Sequence, residues 1–203
     1  MTTRIVLCGG PAAGKTAVLK RLRKLPRGTG VHAVLIDETA SAFLEGCPDA
    51  VAQSWSVPVR QYVIYRAQRA LECLAEQTCA EWGGDSVIIT DRGLPDLFVY
   101  LEEDEARAML SPGEEETMRY DYALFLEDAG REHFETAGRV ERDYAEALAL
   151  SARTREVWER FTEGRMLVIP PALQVEDKVL DVARLINTLT GKTVFLAERA
   201  SLV

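Results

Sequence analysis

The segment Gly9-Gly10-Pro11-Ala12-Ala13-Gly14-Lys15-Thr16 constrains this chain more than any other eight residues. An apolar, β-branched run at 4–8 precedes it, and a helical pattern at 17–24 follows. Glycines let the backbone turn so that successive N–H groups face one point, which makes a nest for phosphate oxygens. The helix opening at Ala17 adds a partial positive charge at the same place. The eight residues fit G-x-x-x-x-G-K-[ST], in which Lys15 reaches the β- and γ-phosphates and the Thr16 hydroxyl ligates magnesium. A strand, this loop and a helix in succession predict a P-loop that holds ATP or GTP with Mg2+.

A P-loop requires a parallel sheet around it, and the rest of the chain supplies one. Short apolar runs at 4–8, 31–36, 86–90, 122–126 and 166–169 alternate with long helical patterns. That alternation predicts an α/β fold with five parallel strands buried between helices, the three-layer sandwich of P-loop NTPases. Three apolar stripes are expected to face the core: Val63, Ala67, Ala70 and Leu74; Ala147, Ser151, Thr154, Trp158 and Phe161; and Val175, Val179, Val182, Ile186 and Leu189. Gly191 is positioned to end the last helix, and Val194-Phe195-Leu196 could add an edge strand. Without repeats or a low-complexity linker, residues 1–203 read as one domain.

Carboxylates follow two of these runs. Val34-Leu35-Ile36-Asp37-Glu38 has the look of a magnesium-binding strand, but Asp37 follows Thr16 by only 21 residues. That leaves room for one helix and a turn, so Val87-Ile88-Ile89-Thr90-Asp91 is the better candidate for the strand whose aspartate serves the metal. Ligands in open α/β sheets sit at the carboxyl ends of strands, so Asp37, Glu38, Asp91, Arg92 and the P-loop should converge on one cleft. Glu38 is read as a proton acceptor or a magnesium-shell carboxylate, and Asp91, with Thr16, as a magnesium-site carboxylate. Arg92 would hold an acceptor's anionic group or steady phosphoryl charge in transfer. Helix capping explains Asp37 as well as chemistry does.

GGPAAGKT and DRGLPD at this separation resemble the small P-loop kinase superfamily, which includes thymidylate, deoxynucleoside and nicotinamide riboside kinases. Within it, the chain is most similar to an AAA-like branch of single-domain proteins, over residues 5–189. The resemblance implies that Glu38 ends the second strand as the catalytic carboxylate and that Asp91-Arg92 ends the third. It also implies a glutamine on the long helix at 58–82 that reads the acceptor, here Gln68 with Gln61 as the alternative. Arg60, Tyr62, Arg66 and Arg69 on that helix are further candidates to line an acceptor pocket. It further implies a lid at about 129–143, where Arg139, ahead of Arg142 and Arg131, closes over the phosphates between hinges at Gly130 and Gly138. A solvated charged loop is the alternative there, because acids alternate with these arginines. Many of the resembled kinases are dimers, so the resemblance leaves a homodimer open.

The expected activity is transfer of the γ-phosphoryl group of Mg-ATP to a small acceptor, a nucleoside or nucleotide. An antibiotic-type phosphotransferase shares the loop and the carboxylate after the second strand. A nucleotide-dependent switch or ATPase acting on a protein partner is the reading from another class. No NKxD motif marks guanine: Asn187 is the only asparagine and lacks that context. The net charge of −8 repels phosphate backbones, so broad nucleic-acid binding is not expected. No apolar run approaches the roughly 18 residues of a membrane span, and no signal peptide is apparent. Cys8, Cys47, Cys73 and Cys79 form no CxxC and read as thiols of a reducing cytoplasm.

Overall fold

The β-branched runs fold as β1 (Thr2–Cys8), β2 (Val31–Ile36), β3 (Asp85–Asp91), β4 (Tyr122–Leu126) and β5 (Met166–Ile169). The structure is a computed structural model that describes residues 1–48, 54–128, 130, 143–172 and 174–198. All strand pairs are parallel, in the order β2-β3-β1-β4-β5. β1 lies in the middle, with β3 on one side and β4 on the other. The connection leaves β1 for the edge strand β2, returns to β3, and then crosses to β4. A crevice for ligands opens at such a reversal of direction, at the carboxyl ends of the strands. The register sets Leu7 beside Asp91, which brings the end of β3 alongside the start of the P-loop.

The helices are α1 (Lys15–Leu22), α2 (Thr39–Gly46), α3 (Val57–Trp82), α4 (Leu97–Tyr100), α5 (Glu103–Ala108), α6 (Tyr144–Thr162) and α7 (Val175–Thr190). Alternate residues of a strand face opposite ways, and each face of β1 finds its own helices. Ile5 and Leu7 pack on Val18, Leu19 and Leu22 of α1 and on Val179, Val182 and Ile186 of α7. Val6 and Cys8 pack on Tyr120, Phe125 and Trp158 of α6. On the same side, Ile88 and Ile36 meet Ala75 and Cys79 of α3. The stripes expected on α6 and α7 are therefore core stripes, and Gly191 caps α7 in the left-handed conformation. Among the described residues, no helix is long and apolar enough to cross a membrane. The four cysteines are free thiols.

Two expectations need correction. On α3 the apolar spacing points to Val63, Ala67, Ala70 and Leu74, yet Leu74 is 60% exposed. The buried stripe is Tyr65, Gln68, Glu72, Ala75 and Cys79. Polar groups rotate the helix: the Arg4 guanidinium and the Tyr120 hydroxyl both reach Glu72, and Gln68 donates to the same carboxylate at 2.7 Å. Buried polar groups must be paired, and here pairing outweighs the gain from turning a Leu inward.

The second concerns the segment 194–196, which adds no strand and makes only one antiparallel bridge, Arg27 to Phe195. Val194 and Phe195 are fully buried. Asn187 secures them, its side-chain oxygen accepting from both backbone N–H groups and its amide donating to the Phe195 carbonyl at 2.8 Å. Phe195→Ala should cost about 3–5 kcal/mol, the usual cost of emptying a buried aromatic site. A fall in the urea midpoint with an unchanged slope would check it, and an unaltered midpoint would show that the segment is dispensable.

Candidate nucleotide site

The P-loop leaves β1 through Gly9, whose φ of 135° excludes most side chains. A Cβ there would also lie 2.4 Å from the Leu126 carbonyl oxygen, so the loop passes against the end of β4. Gly14, at φ 82°, turns the chain into α1. No side chain caps α1, so the first-turn N–H groups of Lys15, Thr16 and Ala17 have no side-chain acceptor. Pro11, Ala12, Gly14, Lys15, Thr16 and Ala17 line the cleft above, while Gly9, Gly10 and Ala13 are buried beneath.

The Lys15 ammonium donates to the carbonyls of Gly9 and Gly10, at 2.9 Å each. Burial, with the Arg92 charge nearby, brings its pKa down to about 8 against the pull of Asp91, Asp96 and Glu38. The Thr16 hydroxyl donates to Asp91 Oδ2 at 2.6 Å. Asp91 Oδ1 is buried with no hydrogen-bond partner, and burial raises the carboxyl above its usual value. A hydroxyl beside a carboxylate oxygen in want of a partner suits a hard divalent cation such as Mg2+. The donor set therefore fits the metal that the motif implies, with Thr16 and Asp91 as the residues that would hold it.

Opposite the P-loop, Glu38 follows β2. Its Oε1 accepts from Arg92 Nε at 2.5 Å and its Oε2 from the Ser41 hydroxyl at 2.7 Å. Burial pushes the Glu38 carboxyl up, but Arg92 and Ser41 outweigh it and hold the group below its ordinary value. Arg92 has a left-handed backbone, φ 67°, stabilised by its N–H to the Leu7 carbonyl at 3.1 Å. That turn aims its guanidinium back at Glu38, at the Tyr100 hydroxyl (2.7 Å) and at Asp96 (3.7 Å). Asp96 also accepts from Trp158 Nε1 at 2.7 Å, which locks it to α6.

One cleft of about 610 Å³ joins the P-loop, Glu38 and Arg92 to Arg60, Gln61 and Gln68 of α3, as expected from the strand ends. Asp91 reaches it through Thr16. Asp37 does not line it: its half-exposed carboxylate pairs with Arg23 at 3.0 Å. Arg66 must be corrected too. Its guanidinium is 52% exposed, pairs with Glu114 at 3.1 Å and lines no part of the cleft, because the rotation of α3 turns it outward. Gln68 lines the cleft, but its amide is held at both ends, by the Thr39 hydroxyl and by Glu72. Trp55 stacks on Phe43 and His32 meets Trp82, neither of them in the cleft. Arg131, His133, Gly138, Arg139 and Arg142 lie outside the described residues, and so does most of the expected lid.

Three residues of this region were not anticipated. Asp96 and Tyr100 fall in the short helical turns directly after Arg92, so their closeness in sequence to the Asp-Arg pair was the available signal. Lys178 had none. It is a core-facing position of α7, 5% exposed, whose ammonium donates to the carbonyls of Ala13 (3.2 Å) and Glu127 (2.7 Å). It ties the underside of the P-loop to the end of β4. Lys178→Met would leave both carbonyls without this charged donor, at a cost of about 1–3 kcal/mol. The check is a lowered thermal midpoint together with weaker nucleotide binding. A lowered midpoint with unaltered binding would limit Lys178 to a structural role.

A family model described as an AAA domain matches residues 4–178, most of the chain. The chain belongs to this AAA domain family. The match begins in β1 and ends at Lys178, so it takes in the P-loop, Glu38 and Asp91-Arg92. No curated protein matches the chain. This AAA domain is thus a P-loop nucleotide-binding NTPase with a five-stranded parallel α/β fold, and its family points to nucleotide and Mg2+ use.

Proposed function

We propose that this AAA domain is an ATP-dependent phosphotransferase that moves the γ-phosphoryl group of Mg-ATP to a small acceptor, a nucleoside or nucleotide. The observation that carries the reading is Glu38. Its ionised carboxylate, oriented by Arg92 and Ser41, faces the same cleft as Lys15 and Thr16. Beyond the P-loop the cleft continues to Arg60, Gln61 and Ile64 of α3, which would provide the wall for an acceptor beside Glu38. An acceptor hydroxyl bound at Glu38 would attack the γ-phosphorus. The bond from that phosphorus to the bridging oxygen would break, ADP would leave, and the hydroxyl proton would pass to Glu38. Lys15 and the α1 N–H groups would stabilise the phosphoryl oxygens throughout. Magnesium, held by Thr16 and Asp91, would neutralise part of the charge on the phosphates.

The test is incubation with γ-labelled ATP, Mg2+ and pooled nucleosides, nucleotides and hydroxylated antibiotics, with Lys15→Ala as control. Label in an organic product that requires Lys15 is the expected result. Label appearing only as inorganic phosphate would overturn the proposal in favour of an ATPase or switch.

A further inference from the structure

The acceptor end of the cleft has an arginine that is already in use. A guanidinium grips a phosphate through two N–H groups on one edge, either Nε with Nη2 or Nη1 with Nη2. Glu38 occupies Nε of Arg92, and the Tyr100 hydroxyl occupies Nη1 with Asp96 Oδ2 at 3.7 Å from it. Each edge therefore has one of its two donors taken. Two carboxylates, Glu38 and Asp96, line this cleft beside Arg92. To be gripped along a full edge of Arg92, an incoming phosphate dianion would have to displace Glu38 or Tyr100 and then sit beside two carboxylates. Like-charge contacts of that kind cost several kcal/mol. An uncharged hydroxyl meets no such barrier. It donates to Glu38 and leaves the Arg92 contacts intact, while Ile64, Leu97 and the Tyr100 ring offer apolar wall to the rest of the molecule.

We infer that the acceptor receives the phosphoryl group on an uncharged hydroxyl and carries no phosphate where it meets Arg92, and that Tyr100 and Asp96 set this selectivity by occupying the guanidinium. The inference rests on the phosphotransferase reading and narrows it from nucleoside or nucleotide to the unphosphorylated class. The new bond is then a phosphomonoester, formed as the γ-phosphorus leaves the bridging oxygen of ATP and the hydroxyl proton goes to Glu38. Phosphorylation of a monophosphate would instead make an anhydride.

Wild-type protein with γ-labelled Mg-ATP should be offered two pools separately: unphosphorylated nucleosides with hydroxylated antibiotics, and nucleoside 5′-monophosphates. The expected result is acid-stable label in the first pool at a rate at least about 100-fold above the second, as a like-charge penalty of this size implies. Tyr100→Phe keeps the ring and frees one donor of Arg92, so it should shift the ratio towards monophosphates by about tenfold, the loss of roughly one hydrogen bond's worth of discrimination. Asp96→Asn should shift it the same way, although its bond to Trp158 makes Tyr100→Phe the cleaner variant. Label confined to the monophosphate pool, or a ratio unmoved by Tyr100→Phe, would overturn the inference and leave the phosphotransferase reading standing. Label in neither pool, with free phosphate released, would remove both.

Discussion

Lys15→Met is expected to weaken binding of Mg-ATP by at least about 100-fold, the scale of losing one well-placed charged donor at a phosphate site. Methionine keeps the apolar stem of a residue that is only 6% exposed, so packing survives while the charge goes. Calorimetric titration would measure the loss, and circular dichroism would verify that the variant is folded. An unchanged Kd would mean that the loop does not hold the triphosphate. The wild type carries a second signature. In the free protein the Lys15 pKa is about 8, because burial and the neighbouring Arg92 charge oppose the ammonium. Phosphate favours the ammonium, so nucleotide binding raises that pKa. Affinity is then full below about 8 and falls as pH rises through it, by up to about tenfold per pH unit, one proton being linked to binding. Lys15→Met should lose that slope. Folding stability responds with the opposite sign: Lys15 is depressed from 10.5, so the unfolded chain holds more protons between about 8 and 10.5, and this site's cost shrinks as pH rises through the window.

Glu38→Gln should have the largest effect on turnover. Glutamine preserves the size of the side chain and an oxygen for Arg92 Nε, but it accepts no proton. If Glu38 is the base, transfer to the acceptor falls by about 10²–10⁴-fold, the contribution of a positioned general base, while the Kd for Mg-ATP stays near wild type. Rapid-quench measurement of the first turnover separates the two quantities. Transfer at the wild-type rate would remove Glu38 from the proton path. A joint loss of binding and transfer would make it a structural support of the cleft.

Residues that act through the backbone are legible in the sequence. The P-loop carries its own geometry in its glycines, and short β-branched runs between helical patterns admit few arrangements other than a parallel sheet. Once the strands are assigned, chain topology alone brings Glu38, Asp91 and Arg92 to one rim. Side-chain direction is not legible in the same way. Asp37 and Glu38 are neighbours in sequence, yet one pairs with Arg23 on the surface and the other with Arg92 in the cleft. On α3, the apolar stripe misleads because the helix is oriented by Arg4, Tyr120 and Gln68 meeting at Glu72, residues far apart in the chain.

The same division holds for the chemistry. Sequence by itself determined that this AAA domain carries a nucleotide-binding P-loop with a lysine and a threonine at its end, because that loop is built from eight consecutive residues. Only the tertiary structure decided what faces it: that Arg92 is held by Glu38, Tyr100 and Asp96, that Lys178 supports the loop from beneath, and that Arg66 is turned away. Contacts between distant segments depend on helix rotation and strand order, which are set by the pairing of buried polar groups and the filling of the core, and neither is written in any local stretch of residues.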